Sequence, residues 1–240
     1  MTPAGKGEQV SAAIKYQWVE WLSAENPTYL YLILKNWEVG SKRKFRLAAV
    51  ALCRRVWDNL SPEARFSVET AEQHADRKVP FKTMLQIAAR VPGVDPRRGS
   101  DAKAARDAAG RSARTALYDV IGDLLYHWFE PTITNRSRDG WSRKESWQNE
   151  VRLFCRIIRD VFGDPWYPVT VEKTWRTWKD RTILKLTQGI YEERAFERLP
   201  ILGDALEDAG CGNADLLAHC RGPGPHVRGC WAVDLVLGKN

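Results

Sequence analysis

The chain has 240 residues, 44% of them hydrophobic and 28% charged, with 37 Lys and Arg against 30 Asp and Glu and a formal net charge of +7. This balance excludes an intrinsically disordered chain, and a chain of this length buries roughly 70–75% of its unfolded surface, enough to fold without a disulfide or metal staple. No segment approaches the ~18 continuous apolar residues of a membrane-spanning helix, the longest apolar run being Tyr29 to Leu34.

Spacing and capping then predict the elements in order. Residues 8–24 read as a helix with Ile14, Trp18, Trp21 and Leu22 on one face. Asn26-Pro27 supplies an N-cap followed by proline at the first helical position, opening a short helix to Trp37 that Gly40 ends. Ser41 caps a helix to about Leu60 whose core stripe is Phe45, Ala49, Leu52, Cys53, Val56 and Leu60. Ser61-Pro62 repeats the cap-then-proline signal for a helix to about Lys78, and another runs from Phe81 to Arg90. Residues 91–100, VPGVDPRRGS, read as a linker. Residues 101–115, rich in Ala, Arg and Asp, are compatible with a helix but offer little to bury.

Leu117, Val120, Ile121, Leu124 and Trp128 form a core face that stops at Pro131, ahead of a polar loop over 131–142. The strongest pattern lies in 143–162, where Trp147, Val151, Phe154, Ile158 and Val161 share a stripe and Gly163 follows as a cap. Pro165 and Pro168 hold 164–171 extended; a short helix with Trp175 and Trp178 follows, then helices over 182–194, 199–209, 213–219 and 226–237. No stretch alternates with period two for long enough to demand a sheet. The predicted fold is all-α, a multi-helix orthogonal bundle with little or no sheet, in two helical lobes over 8–90 and 101–240.

The C-terminal strings resemble a large paralogous family of planctomycete proteins. The residues that carry the resemblance are RLPILGDALEDAGC at 198–211, HCRGPGPHVRGCW at 219–231 and LGK at 237–239, within a family-like block over 162–239. FRLAAVALCRRVWDNLSPEARFSVETAEQHAD at 45–76, FGDP at 162–165 and IYEERAF at 190–196 fit the same family. The resemblance covers roughly two thirds of the chain and fails over 91–145. It implies no activity, cofactor or catalytic residue. Members are sometimes grouped beside cell-wall-regulator or immunity-type families of mixed α/β fold, which the all-α pattern here does not match.

Cys211, His219, Cys220, His226 and Cys230 lie within twenty residues of one another. Thiolate and imidazole are the usual zinc ligands, and His226 and Cys230, four apart, would share a helix face. The close cysteine pair of standard zinc fingers is absent, and the alternative is that Cys211 and Cys230 are small buried apolar residues while His226 hydrogen-bonds near a helix start. The same residues allow a nucleophile reading, with Cys230 activated by His226. It requires an exposed thiol, whereas Cys230 precedes Trp231 and an apolar element; a deep pocket holding His226, Cys230 and Asp234 together would support an enzyme. Arg221-Gly-Pro-Gly-Pro225 makes a poor phosphate cradle, because Pro223 and Pro225 remove two backbone donors. Asp123 and His127, four apart, suit a boundary hydrogen bond better than acid–base work. The common nucleotide, hydrolase and zinc-protease signatures are absent.

Two basic stripes remain. Arg43, Arg46 and Arg54 fall within about 80° on one helix, and Arg152, Arg156 and Arg159 form a second stripe on another. Trp175 and Trp178 flank cations in a pattern that can stack bases, although a spacing of three more often serves a core. Residues 1–200 carry 34 basic and 25 acidic groups and residues 201–240 carry 3 and 5, so the basic character excludes the C-terminal block. Five cysteines, an odd number without CxxC spacing, and the lack of an apolar signal-peptide core in the first fifteen residues point to a reducing cytoplasm. The expected function is a non-enzymatic protein–protein interaction or scaffold module with no cofactor. Its candidate contacts are Arg43, Arg46, Arg54, Arg152, Arg156, Arg159, Trp175 and Trp178, because Trp, Tyr and Arg dominate interface hot spots. The alternatives are nucleic-acid binding through the basic helix faces, and an enzyme or zinc protein using the Cys/His group.

Overall fold

Six of the described helices start at a capping side chain, that of Asn26, Ser41, Ser61, Ser100, Ser112 or Asn213. A computed structural model describes residues 19–92, 100–125 and 140–239, with 140–144 and 173 described by backbone alone. Helix α1 (Pro27–Asn36) begins where the Asn26 side chain accepts from the N–H groups of Thr28 and Tyr29. Ser41 likewise accepts from Lys44 to open α2 (Lys42–Arg55). After a 3-10 turn at Trp57–Asn59, Ser61 opens α3 (Pro62–Ala75) by accepting from Ala64. Helices α4 (Phe81–Ala88), α5 (Asp101–Ala108) and α6 (Ala113–Leu124) follow, the last two capped by Ser100 and Ser112. Helix α7 (Gly140–Phe162) ends at Gly163, whose φ of +67° is the left-handed cap conformation.

The C-terminal part begins with α8 (Lys173–Glu193), interrupted between Trp178 and Arg181 by non-helical backbone, so it forms two helical pieces as the spacing predicts. A 3-10 turn at Phe196–Arg198 leads into α9 (Leu199–Asp208), α10 (Ala214–Arg221) and α11 (Trp231–Leu237). No strand occurs among the described residues, and the protein is an all-α bundle of packed helices. None of the described helices is long and apolar enough to cross a membrane. Ile14, Trp18, His127 and Trp128, most of the 91–100 linker and the 131–139 part of the polar loop lie outside the described residues.

Three features differ from the sequence expectation. Helix α5 does have a buried face: Ala104, Ala105 and Ala108 are fully enclosed, and Ser67 of α3 donates to the Ala105 carbonyl at 3.1 Å. Small side chains let backbones approach closely, which a search for large apolar residues overlooks. The apolar clusters also do not divide at 91–100. One runs from Trp21 to Phe162 and takes in α5, α6 and α7, while the second runs from Trp175 to Val236. Helix α2 is central to the first, packing against α3, α5, α6 and α7. Finally, residues 222–230 are not helical. They form a corner ahead of α11, with Gly224 and Gly229 at positive φ.

A buried ionic network joins the two clusters. Arg43 of α2 donates to Asp76 at 3.1 Å, to Tyr191 of α8 at 2.7 Å and to both carboxylate oxygens of Asp234 in α11. Tyr191 donates to Asp76 at 2.5 Å, and Arg228 of the corner reaches the same carboxylate at 2.8 Å. Asp76 and Asp234 are buried, with their charge balanced by these partners.

Candidate functional site

The corner brings its chemistry against the end of α7. Asp160 lies in the last turn of α7 and is buried. Its Oδ2 accepts from the Val227 backbone N–H at 2.9 Å, and its Oδ1 faces His226 Nδ1 at 2.8 Å and His219 Nε2 at 3.3 Å. His219 sits in the last turn of α10, and its Nε2 is also 3.1 Å from the sulfur of Cys230, the residue that precedes α11. One donor atom each from Asp160, His219, His226 and Cys230 thus lies within 4.8 Å of every other.

Each donor is oriented by a neighbour. His226 turns Nε2 to the Gly222 carbonyl at 3.3 Å. With acceptors at both ring nitrogens, this imidazole favours its doubly protonated form; burial opposes the charge, but the Asp160 carboxylate outweighs it and raises the pKa. Burial likewise opposes the charge on Asp160, and the two imidazoles together hold its carboxyl below the usual range. His219 receives the indole N–H of Trp231 on Nδ1 at 3.0 Å, with the two rings 4.8 Å apart. Cys230 is fully enclosed, and burial followed by the nearby Asp160 charge pushes its thiol up, against the opposing N–H groups of Val233 and Ala232.

Of the five residues the sequence singles out for metal, the structure gathers His219, His226 and Cys230. Cys211 and Cys220 stand apart in the second apolar cluster, where Cys220 is raised to about 12 by burial and behaves as a small apolar residue. The fourth member, Asp160, escapes the sequence reading because it is 66 positions from His226. Its only local signal is a buried carboxylate in the last turn of α7, beside Arg159. The shared helix face of His226 and Cys230 is corrected, since both lie ahead of α11, and the corner, not helical periodicity, brings them together.

The nucleophile pair of Cys230 and His226 is not formed, because the imidazole on the sulfur is that of His219 and the thiol has no exposed surface. Asp234 faces Arg43 instead and takes no part in the cluster. A cleft of about 310 Å³ opens beside the four donors; Asp160, His219 and His226 line it, with Trp21, Pro225 and Trp231 among the apolar walls.

The arginines and tryptophans proposed as contacts are mostly engaged inside the molecule. Arg43 serves the ionic network, and buried Arg46 donates to the carbonyls of Ala108 and Gly110 at 2.8 and 2.7 Å, burial drawing it down to about 10. Arg54 pairs with Glu72 at 3.1 Å, while Arg159 donates to the carbonyls of Trp21, Leu22 and Ala24. Arg156 is exposed and donates to the Gly224 carbonyl at 2.8 Å, and Arg152 is exposed. Trp175 is buried in the second cluster, and Trp178 packs half-buried against it with Lys179 Nζ 4.1 Å from its ring centre. A helix face judged basic from spacing alone is therefore largely a set of internal ties, because long guanidinium side chains reach carbonyls and carboxylates on neighbouring elements. No family model, curated protein or solved structure matches the chain.

Proposed function

We propose that the protein is a metal-binding protein whose working centre holds a zinc-class divalent ion with Asp160, His226 and Cys230, His219 standing beside them. The observation that supports this reading is the convergence of four donors of three chemical kinds, carboxylate, imidazole and thiol, from α7, α10 and two positions of the corner, within 4.8 Å. Zinc takes thiolate, imidazole and carboxylate in such sets, whereas calcium and magnesium take oxygen. The surroundings suit a metal as well. Val227 fixes one oxygen of Asp160 and leaves the other directed at the cluster. His226 presents Nδ1 while Nε2 faces a backbone carbonyl, the arrangement that orients metal-bound imidazoles. A bound ion would take the place of the proton between Asp160 and His226 and of the Cys230 thiol proton.

We also propose membership of the planctomycete family on the strings that carry the resemblance. His219, His226 and Cys230 all fall within one of them.

The test is metal content. Wild-type protein purified without chelator is expected to hold about one equivalent of zinc, and folded Cys230→Ser and Asp160→Asn proteins well under half of that. A folded wild-type protein that stays below about one tenth of an equivalent after zinc loading and desalting would sink the proposal.

A further inference from the structure

We infer that His219 stands beside the metal rather than on it, and that the fourth coordination position opens into the cleft to take an anionic oxygen donor carried on an apolar body. This rests on the metal-centre reading proposed above, and it follows from the one hydrogen bond that fixes the His219 ring. An indole N–H can only donate. At 3.0 Å from Trp231 Nε1, Nδ1 of His219 must therefore present its lone pair. A neutral imidazole so held carries its proton on Nε2, the atom that points at Asp160 Oδ1 and Cys230 Sγ, both acceptors. A protonated ring nitrogen has no lone pair for an ion. His226 differs: with acceptors at both nitrogens it can give up its Nδ1 proton to an incoming ion and keep the Nε2 proton on the Gly222 carbonyl, whereas His219, its Nδ1 occupied by the Trp231 N–H, has no second proton to keep.

Three donors are then available, the number typical of zinc centres that keep a position for an outside ligand. The cleft shows where that ligand enters. Asp160, His219 and His226 border it, while fully buried Cys230 does not, so the accessible side of the donor set is the side away from the sulfur. Trp21, Leu22, Pro223, Pro225 and Trp231 give the cleft apolar walls, and exposed Arg156 is on its lining. An oxygen anion at the fourth position would receive the Nε2–H of His219 and the pull of Arg156, while an apolar body lies against the walls. Carboxylates and hydroxamates with aromatic or branched aliphatic bodies have this chemistry.

Cobalt-substituted protein tests the inference, using benzohydroxamate and acetohydroxamate as probes. The wild-type visible spectrum is expected to change on adding benzohydroxamate, which binds about tenfold tighter than acetohydroxamate because its ring is buried against the walls. His219→Gln is expected to keep one equivalent of cobalt and to bind benzohydroxamate about tenfold more weakly. Trp231→Phe removes the indole donor but keeps an aromatic ring; His219 is then free to shift its proton to Nδ1 and ligate, so the spectral response to benzohydroxamate is lost while cobalt is retained. A wild-type spectrum indifferent to benzohydroxamate, or loss of cobalt from folded His219→Gln protein, would overturn the inference and leave the metal reading standing. Failure of wild-type protein to bind zinc or cobalt at all would overturn both.

Discussion

Asp76 has a fully buried carboxylate with three partners, Arg43, Tyr191 and Arg228, drawn from both apolar clusters. Burial works against its charge, but the Tyr191 hydroxyl and the two guanidiniums prevail and hold its pKa below the ordinary aspartate value. A carboxyl depressed in the folded state contributes stability above its unfolded pKa of about 3.9, and that contribution is lost as pH falls through the lower folded value. Asp76→Asn leaves two buried guanidiniums short of charge and is expected to cost about 3 kcal/mol in urea unfolding at pH 7. The gap should narrow below about pH 4 as the wild-type carboxyl takes up its proton. A gap that stays constant into acid would mean that shape, not charge, carries the role of Asp76. None of this network is legible from spacing. Arg43 reads as part of an outward stripe until the chain brings Asp76 and Asp234 to it.

At the scale of elements, capping side chains were the most informative signal, since Asn26, Ser41 and Ser61 all cap helices where the sequence predicts them. The corner at 222–230 was less legible. Gly and Pro mark it as irregular, yet the i, i+4 spacing of His226 and Cys230 imitates a helix face that is not there. Gly163 shows how one element end supports the next. Its carbonyl accepts the Trp21 indole N–H at 3.1 Å, and a Cβ built on it would stand 2.8 Å from Cγ of Trp231, the residue that orients His219. Gly163→Ala is expected to cost more than the roughly 1–2 kcal/mol of placing an alanine in left-handed backbone, because the Trp231 ring must also move. Gly163→Asn separates the two causes, since Asn tolerates that backbone but carries the same Cβ. If the ring contact matters, Asn fails to restore urea stability; if only the backbone does, Asn recovers most of it.

Over the whole molecule, the all-α class was readable because long stripes of period 3.6 leave no room for a sheet. The placing of the two apolar clusters was not, because alanine-faced α5 hides its packing and, with α6 and α7, belongs to the N-terminal cluster. That placing sets Asp160, at the last turn of the first cluster, against His219, His226 and Cys230 of the C-terminal block, so the proposed centre spans the seam between the clusters just as the Arg43 network does. Nearby ligands could be listed from sequence; the distant carboxylate and the Trp231 donor that decides the state of His219 required the fold. X-ray absorption at the zinc edge of the loaded wild-type protein addresses the centre most directly. The expected first shell is a single sulfur at about 2.3 Å with nitrogen and oxygen neighbours at about 2.0–2.2 Å. A shell without sulfur, a shell with two sulfurs, or protein that holds no zinc to measure would contradict it.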